Sequence, residues 1–170
     1  MINVMVDLET LGNGGNAVII AIGAVEFDTA TGLLGREFYE VVDAQSCVDR
    51  GMEIDASTVM WWMKQSAEAR AAFDKPGIPL TEALHRFSTW YPTAVKTPLW
   101  GNGATFDNVI LANAYKRARL SRPWGYQSDR CYRTLKALRP EVKQEAIGVA
   151  HNALDDAKYQ ALHAIKLLTP

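Results

Sequence analysis

The sequence of 170 residues is poor in cysteine and has no long apolar run, and both absences limit the class of protein to which it can belong. Cys47 and Cys131 are far apart and have no CxxC neighbour, so we expect free thiols in a reducing cytoplasm, not a disulfide scaffold. The longest apolar run, residues 17–25, is far shorter than the roughly 20 residues that span a bilayer. The N-terminus has no basic stretch ahead of an apolar core, so we expect neither an export signal nor membrane insertion.

The composition is that of an ordinary soluble globular protein. Hydrophobic residues make up 48% of the chain and charged residues 22%, which excludes a disordered or fibrous class. No repeat, low-complexity tract or long linker divides the sequence. Residues 1–170 are therefore predicted to form a single domain with its own core.

Charge is distributed unevenly although the net charge is only −1. Residues 1–60 contain ten acidic and two basic residues, whereas residues 116–143 contain nine basic and two acidic residues. This polarity suits a protein that holds cations at one place and phosphates beside it. Ordinary solvated helix faces are the alternative. The basic set is Lys116, Arg117, Arg119, Arg122, Arg130, Arg133, Lys136, Arg139 and Lys143.

The hydrophobic pattern predicts an α/β protein whose first three strands form a meander, at residues 2–8, 17–27 and 33–42. Hairpin-linked strands followed by alternating strands and helices predict a mixed sheet of five strands with helices on both faces, which resembles the ribonuclease H-like architecture. Further strands are predicted at 96–101 and just before Asp129. Helices are predicted after Asp55 or Ser57, from Ser66, from Thr81 to Tyr91, over 105–120, from an Asp129 cap through Leu138, and over 152–168.

Two acids stand at the end of the first predicted strand. Asp7 and Glu9 are two residues apart, so their side chains project from the same face of the strand. Neighbouring carboxylates repel each other, and burying them together is costly unless a cation lies between them. A metal site is one interpretation, and a strand that simply emerges into solvent is the other.

Two further segments carry acids or a histidine. Asp107 follows a glycine-rich segment, residues 100–106, whose glycines allow close approach of the backbone to a ligand. An acid in a first helical turn can equally serve the helix dipole. His151 precedes the last predicted helix, and Asp156 lies just inside it, five residues further on.

In order and spacing, these motifs resemble the DEDDh group of DnaQ-like 3′–5′ exonucleases. The resemblance rests on Asp7-x-Glu9, Asp107 and His151-x-x-x-x-Asp156, and it covers nearly the whole chain. That family includes the proofreading subunit of bacterial DNA polymerase III, ribonuclease T and oligoribonuclease. Residues 58–62 and 100–107 are similar to a branch of phage and prophage exonucleases described as exodeoxyribonuclease VIII-like or as mycobacterial-type 3′ exoribonucleases.

The resemblance implies a metal-dependent hydrolase. It assigns Asp7, Glu9, Asp107 and Asp156 as ligands of two Mg²⁺ or Mn²⁺ ions, and His151 as the general base. Asp156, not its neighbour Asp155, has the family spacing from His151. Hard oxygen ligands suit these ions better than zinc. Two ions about 4 Å apart would activate water and stabilise the leaving oxygen.

Substrate contacts are also predicted. By resemblance, Thr10 and Leu11 touch the terminal nucleotide. Trp61 and Trp62 are adjacent on a helix and about 100° apart, so one is expected in the core and the other against a base. Trp61 is our candidate for the contact with the base. Asn102, in the glycine-rich segment, completes the predicted contacts.

The expected function is a 3′–5′ exonuclease that releases nucleoside 5′-monophosphates from single-stranded RNA or DNA with a 3′-hydroxyl end. The alternatives are a two-metal hydrolase of dinucleotides or small nucleotide derivatives, and a non-catalytic module that binds nucleic acid. A homodimer is a further expectation, by resemblance. His85 and His163 have no acid partner at motif spacing and are interpreted as structural.

Overall fold

Five strands and six α-helices make up the regular structure of the computed structural model, which describes residues 1–92 and 96–169. The strands are β1 (Ile2–Thr10), β2 (Ile19–Asp28), β3 (Leu33–Val41), β4 (Leu99–Gly101) and β5 (Asp129–Cys131). The helices are α1 (Ala44–Val48), α2 (Ala56–Trp62), α3 (Leu80–Trp90), α4 (Val109–Ala118), α5 (Tyr132–Leu138) and α6 (Ala153–Leu168). A π-helical turn, Ala104–Asn108, leads into α4, and a 3₁₀ turn, Tyr126–Ser128, leads into β5.

The strands form one mixed sheet in the order β3-β2-β1-β4-β5. The first three strands pair antiparallel, as the predicted meander requires, while β4 is parallel to β1 and β5 is parallel to β4. The carboxyl ends of β1, β4 and β5 therefore meet at the same edge of the sheet. The predicted five-stranded mixed sheet is confirmed.

Helices cover both faces of the sheet, as predicted. Val4, Val6 and Leu8 of β1 belong to a core shared with α3 and α4, whereas Met5 belongs to a second core shared with α5 and α6. Successive strand side chains point to opposite faces, so one strand serves both cores. This explains the continuous apolar run in β2, because a strand that is buried on two sides has no need of alternation. In residues 1–92 and 96–169, no helix has the length and apolarity needed to cross a membrane.

Several local predictions were wrong. Residues from Ser66 onward form successive turns instead of a helix, and the strand expected over 96–101 is limited to β4. Asp129 does not cap α5, since it belongs to β5 and its carboxylate accepts hydrogen bonds from Asn108 and Trp124. Cys131 is the cap, and its sulfur accepts the N–H of Thr134. The short helix α1 was not predicted.

A close approach between β2 and α6 fixes the position of the last helix. Gly23 lies opposite Asp7 in the β1–β2 pairing. A Cβ atom on Gly23 would lie 2.1 Å from the carbonyl carbon of Ala153, the first residue of α6. Glycine at this position therefore allows α6 to begin directly against the sheet, beside the end of β1.

We predict that Gly23→Ala destabilises the protein, because the added methyl group meets backbone that cannot move aside locally. Overpacking of this kind costs about 1–3 kcal/mol, and each kcal/mol lowers Tm by roughly 2–4 °C in a domain of this size. Gly125→Ala is the matched control, since no atom lies within 4 Å of a Cβ there. Equal Tm values for the two variants in thermal unfolding would show that the close approach is unimportant.

Candidate active site

Three carboxylates from the two ends of the chain converge at the carboxyl end of β1. Asp7 and Glu9 come from β1, and Asp156 comes from the first turn of α6. One oxygen from each of the three lies within 4.8 Å of the others. The convergence follows from the packing of α6 against β1 and β2. It favours the metal-site interpretation of Asp7 and Glu9 over a strand end that emerges into solvent, because Glu9 is only 7% exposed.

Asp107 joins the same region from the π-helical turn after β4. It is 2% exposed, and its Oδ1 accepts the backbone N–H of Leu8 at 3.2 Å. Gly101 makes room for it, because a Cβ there would lie 2.9 Å from the Cβ of Asp107. The carboxylate is thus directed at β1, which the helix-dipole interpretation does not explain.

The electrostatics of the four acids are those of an uncompensated cluster. Burial, followed by the charges of Asp107, Glu9 and Asp156, raises the pKa of Asp7 well above its usual value. Burial and the neighbouring carboxylates raise the pKa of Glu9 to about 8. Burial raises the pKa of Asp107 to about 7 and also raises that of Asp156. A cation placed among these groups would reverse each of these shifts.

Two buried oxygens of the cluster have no hydrogen-bond partner within residues 1–92 and 96–169: Oε1 of Glu9 and Oδ2 of Asp107. A buried polar atom without a partner is costly and rare. Carboxylate oxygens are the ligands that Mg²⁺ and Mn²⁺ prefer. The donor set therefore fits hard divalent cations.

His151 lies beside Asp156 in a strained loop. Its φ of 64° is in the left-handed region, and its backbone N–H donates to Oδ2 of Asp156 at 3.0 Å. Its ring lies edge-on to Trp61, with centroids 5.0 Å apart, and 6.2 Å from the ring of Trp62. Asp155 instead accepts the N–H of Val149 at 2.9 Å, so it holds the loop and is not part of the cluster.

A pocket of about 470 Å³ opens beside Glu9. Trp61 and Trp62 both line it, but Trp61 is 42% exposed, whereas Trp62 is 5% exposed and donates its indole N–H to the carbonyl oxygen of Thr10. This distinguishes the exposed tryptophan from the core tryptophan, which the sequence could not do. Other lining residues are Thr10, Asn13, Thr58 and Phe106.

The other two predicted substrate contacts lie outside this pocket. Leu11 packs against the core and lines a neighbouring apolar cavity with Val59, Met63 and Phe73. Asn102 follows β4, and its carbonyl oxygen accepts a hydrogen bond from Arg133 at 2.7 Å.

One polar residue of the site was missed in the sequence. Gln160 is 4% exposed, and its Nε2 donates to Oδ1 of Asp7 at 2.7 Å. Its own Oε1 is buried and has no partner in the described chain. The available signal was its position, because Gln160 lies one helical turn after Asp156 and interrupts the buried alanines of α6.

The other histidines lie away from the carboxylates. His163 is 3% exposed, and its ring nitrogens hydrogen bond with the hydroxyl of Tyr132 and the carbonyl of Val142. His85 is exposed on α3. These surroundings agree with their interpretation as structural residues.

Comparison with known proteins identifies the class first. The chain has the fold of the nuclease domain of 3′hExo, a DEDDh family member solved with rAMP, with a TM-score of 0.67 over 98% of this chain and 91% of that one, at 16% identity. E. coli exonuclease I, solved with a dT13 oligonucleotide, gives 0.68 over 99% of this chain and 41% of that one, at 18% identity. The fold is therefore the ribonuclease H-like fold of DEDDh nucleases.

The family is narrower than the fold. Residues 2–168 match the model of the 3′-5′ exoribonuclease Rv2179c-like domain, and the chain belongs to that family. An exodeoxyribonuclease of Enterobacteria phage T4 is 26% identical over an alignment of 132 positions, which covers 66% of this chain. The match covers 55% of that curated relative, so the chain spans about half of its length.

We predict that the metal-free protein loses stability as pH rises from about 5 to 8. An acid whose pKa is raised by folding binds its proton more tightly in the folded state, so its ionisation favours unfolding. Glu9, with a pKa of about 8, ionises at a cost throughout this interval. Glu9→Gln should therefore raise Tm at pH 8 and reduce the fall of Tm between pH 5 and pH 8. Thermal unfolding in EDTA at several pH values measures Tm and its change with pH, and Glu145→Gln, at an exposed residue, is the control. Parallel pH curves for Glu9→Gln and wild type would contradict this.

Gln160→Met tests the role of the buried amide. Methionine has a similar size but no donor, so the Asp7 carboxylate should lose its fixed orientation while the packing of α6 survives. Loss of such a supporting hydrogen bond costs about 10–100-fold in metal affinity. Calorimetric titration with Mn²⁺ should show this weakening, and Gln160→Asn, which keeps an amide, should recover part of it. A fall in Tm with unchanged Mn²⁺ affinity would mean that Gln160 serves packing alone.

Proposed function

We propose that this protein is a metal-dependent exonuclease that hydrolyses single-stranded RNA or DNA from a 3′-hydroxyl end and releases nucleoside 5′-monophosphates. The observation that carries the proposal is the convergence of Asp7, Glu9 and Asp156 within 4.8 Å, beside buried Asp107. Membership of a 3′-5′ exoribonuclease domain family supports it. Residues 1–170 are proposed to act as one catalytic domain.

In this proposal Asp7, Glu9, Asp107 and Asp156 hold two Mg²⁺ or Mn²⁺ ions. The unpartnered oxygens of Glu9 and Asp107 are the best available sites for such ions. When bound, ions of this kind favour ionisation of water near neutral pH and stabilise negative charge on the phosphate and on the leaving oxygen. Gln160 keeps Oδ1 of Asp7 engaged and so fixes the direction of that carboxylate.

His151 is proposed as the general base. Imidazole accepts a proton near neutral pH, as removal of a proton from the attacking water requires. Asp156 holds the backbone of His151, and Trp61 packs against its ring, so both the loop and the ring have defined partners. Trp61, which the ring contacts, also lines the pocket beside Glu9.

The terminal nucleotide is proposed to occupy the pocket beside Glu9. Its volume of about 470 Å³ accommodates one nucleotide, and exposed Trp61 offers a face on which any base can stack. Thr10 contributes to the wall next to the acids. Leu11 and Asn102 lie outside the pocket, so their contacts with substrate stay predictions.

The similar proteins do not indicate whether the substrate is RNA or DNA. The matched family is described by exoribonuclease activity, whereas the phage T4 relative is named an exodeoxyribonuclease. The two solved structures compared contain rAMP and dT13. The proposal accordingly covers both polymers. The homodimer expected by resemblance also stays a prediction, which sedimentation equilibrium tests.

Alanine substitution of each of the four acids is expected to reduce turnover by orders of magnitude while the fold survives. Removing one ligand misplaces the cations, and relief of carboxylate repulsion keeps the metal-free protein stable. End-labelled 20-nucleotide RNA and DNA, with Mg²⁺ or Mn²⁺, measure the effect. Asp49→Ala, which removes an exposed carboxylate after α1, is the control. Near-normal turnover by a folded acid variant would remove that residue from the site.

His151→Ala separates base catalysis from metal binding. Loss of a general base typically lowers turnover about 10²–10⁴-fold, and the remaining rate should depend less on pH between roughly 6 and 8. Mn²⁺ affinity should be largely retained, because no ring nitrogen of His151 is proposed as a ligand. Collapse of Mn²⁺ affinity in this variant would show that His151 is a ligand and would contradict its role as base alone.

Substrate length separates the remaining alternatives. An exonuclease should shorten the 20-mer stepwise from its 3′ end, whereas a hydrolase of dinucleotides or small nucleotide derivatives should prefer a dinucleotide. A non-catalytic module should bind the 20-mer without cleaving it under any metal condition. Either of the last two results would overturn the proposal.

A further inference from the structure

We infer that a groove formed by Arg133, Lys136 and Lys143 binds the phosphodiester backbone of the substrate strand on the 5′ side of the scissile bond. The inference deepens the proposed function and rests on it, since it makes a polymer the preferred substrate. It begins from a cavity of about 500 Å³ on the α5 side of the sheet edge. The three cations line that cavity together with Tyr159, Gln144 and His163.

The charge of the groove is not neutralised nearby. None of the described residues that line it is acidic. In the part of the chain that the structure describes, the ion pairs involve neither Arg133, Lys136 nor Lys143. Lys136 lies over the ring of Tyr132 at 5.4 Å, which leaves its ammonium hydrogens available. Three cations in one concave surface favour an extended polyanion.

The other basic residues of the 116–143 segment have different surroundings. Arg122 forms an ion pair with Asp129, and Arg130 donates to the carbonyl oxygens of Gln127 and Asp129. Arg139 bonds to Glu141 and to carbonyls at the end of α6. Lys116, Arg117 and Arg119 lie at the far end of α4, about 15 Å from the end that follows Asp107, because ten helical residues rise about 1.5 Å each. The segment therefore does not form one surface, and only part of it can serve the site.

Arg133 of the groove contacts the segment that leads to Asp107. Arg133 donates to the carbonyl of Asn102, and its guanidinium lies 3.3 Å from the place of a Cβ on Gly103. Asn102 and Gly103 lead directly into the turn that carries Asp107.

The groove and the nucleotide pocket lie at different strands of one sheet edge, and Asp107, which follows β4, lies between them in strand order. The pocket is formed by the end of β1 and by α2, whereas the groove begins after β5, two strands away along the same sheet edge. A strand whose 3′ nucleotide enters the pocket would pass its scissile phosphate over the carboxylates. Its next phosphates would then reach Arg133 first, followed by Lys136 and Lys143.

The test compares two triple variants with equal change of charge. The groove variant carries Arg133→Gln, Lys136→Gln and Lys143→Gln, and the control carries Lys116→Gln, Arg117→Gln and Arg119→Gln, all on exposed residues. Binding of fluorescein-labelled dT20 and of a fluorescein-labelled 20-nucleotide RNA to the full chain is measured by anisotropy in EDTA over a range of NaCl, and the variants are compared on the polymer that wild type binds more tightly. Each lost phosphate contact should make the negative slope of log affinity against log salt shallower by about 0.7. The slope of the groove variant should therefore be shallower by up to about 2, and that of the control should equal the wild-type slope.

A double variant that keeps Arg133 separates charge from structure, because the bond of Arg133 to Asn102 is intact in it. Lys136→Gln with Lys143→Gln should still reduce the slope, by up to about 1.4. Equal slopes for the groove variants and wild type would overturn the inference while leaving the proposed function in place. Equal losses in groove and control variants would also overturn it, since net charge alone would explain them. Failure of wild type to cleave both dT20 and the 20-nucleotide RNA with Mg²⁺ or Mn²⁺ would instead overturn the proposed function.

Discussion

Repulsion among buried carboxylates is the constraint on which the rest of this structure depends. Asp7, Glu9 and Asp107 are held in a poorly solvated space, where each raises the cost of ionising its neighbours. Without a cation, this repulsion lowers the free energy of unfolding. A stable protein can keep such a cluster only if the surrounding packing is strong, and the stability that the cluster costs indicates selection for a function that requires it.

The scaffold places the cluster by packing, not by local preference. Parallel pairing brings β4 beside β1, and Gly101 lets Asp107 approach the end of β1. Gly23 lets α6 begin against β2, which carries Asp156 to the same edge of the sheet. Two glycines on different strands thus permit close approaches that bulkier residues would prevent, and both lie next to an acid of the site.

Much of this arrangement could be predicted from the sequence, because motif spacing and hydrophobic pattern are local properties. The pairing of Asp7 with Glu9 follows from strand geometry, and the helix that carries Asp156 follows from its apolar face. Other features depend on contacts between distant segments. Gln160 acquires its role only when α6 meets β1. Asp129 belongs to a strand, where its carboxylate accepts hydrogen bonds from Asn108 and Trp124. The segment 116–143 divides because α4 and α5 belong to the two different cores.

Anomalous diffraction from crystals soaked in Mn²⁺ shows whether the carboxylate cluster is a divalent-cation site. We predict two anomalous peaks per chain, each about 2.0–2.4 Å from carboxylate oxygens of the cluster, with oxygen-only ligands. Glu9 Oε1 and Asp107 Oδ2, the unpartnered oxygens, should be among those ligands. Well-ordered crystals with no peak near Asp7, or with Mn²⁺ bound elsewhere alone, would contradict it.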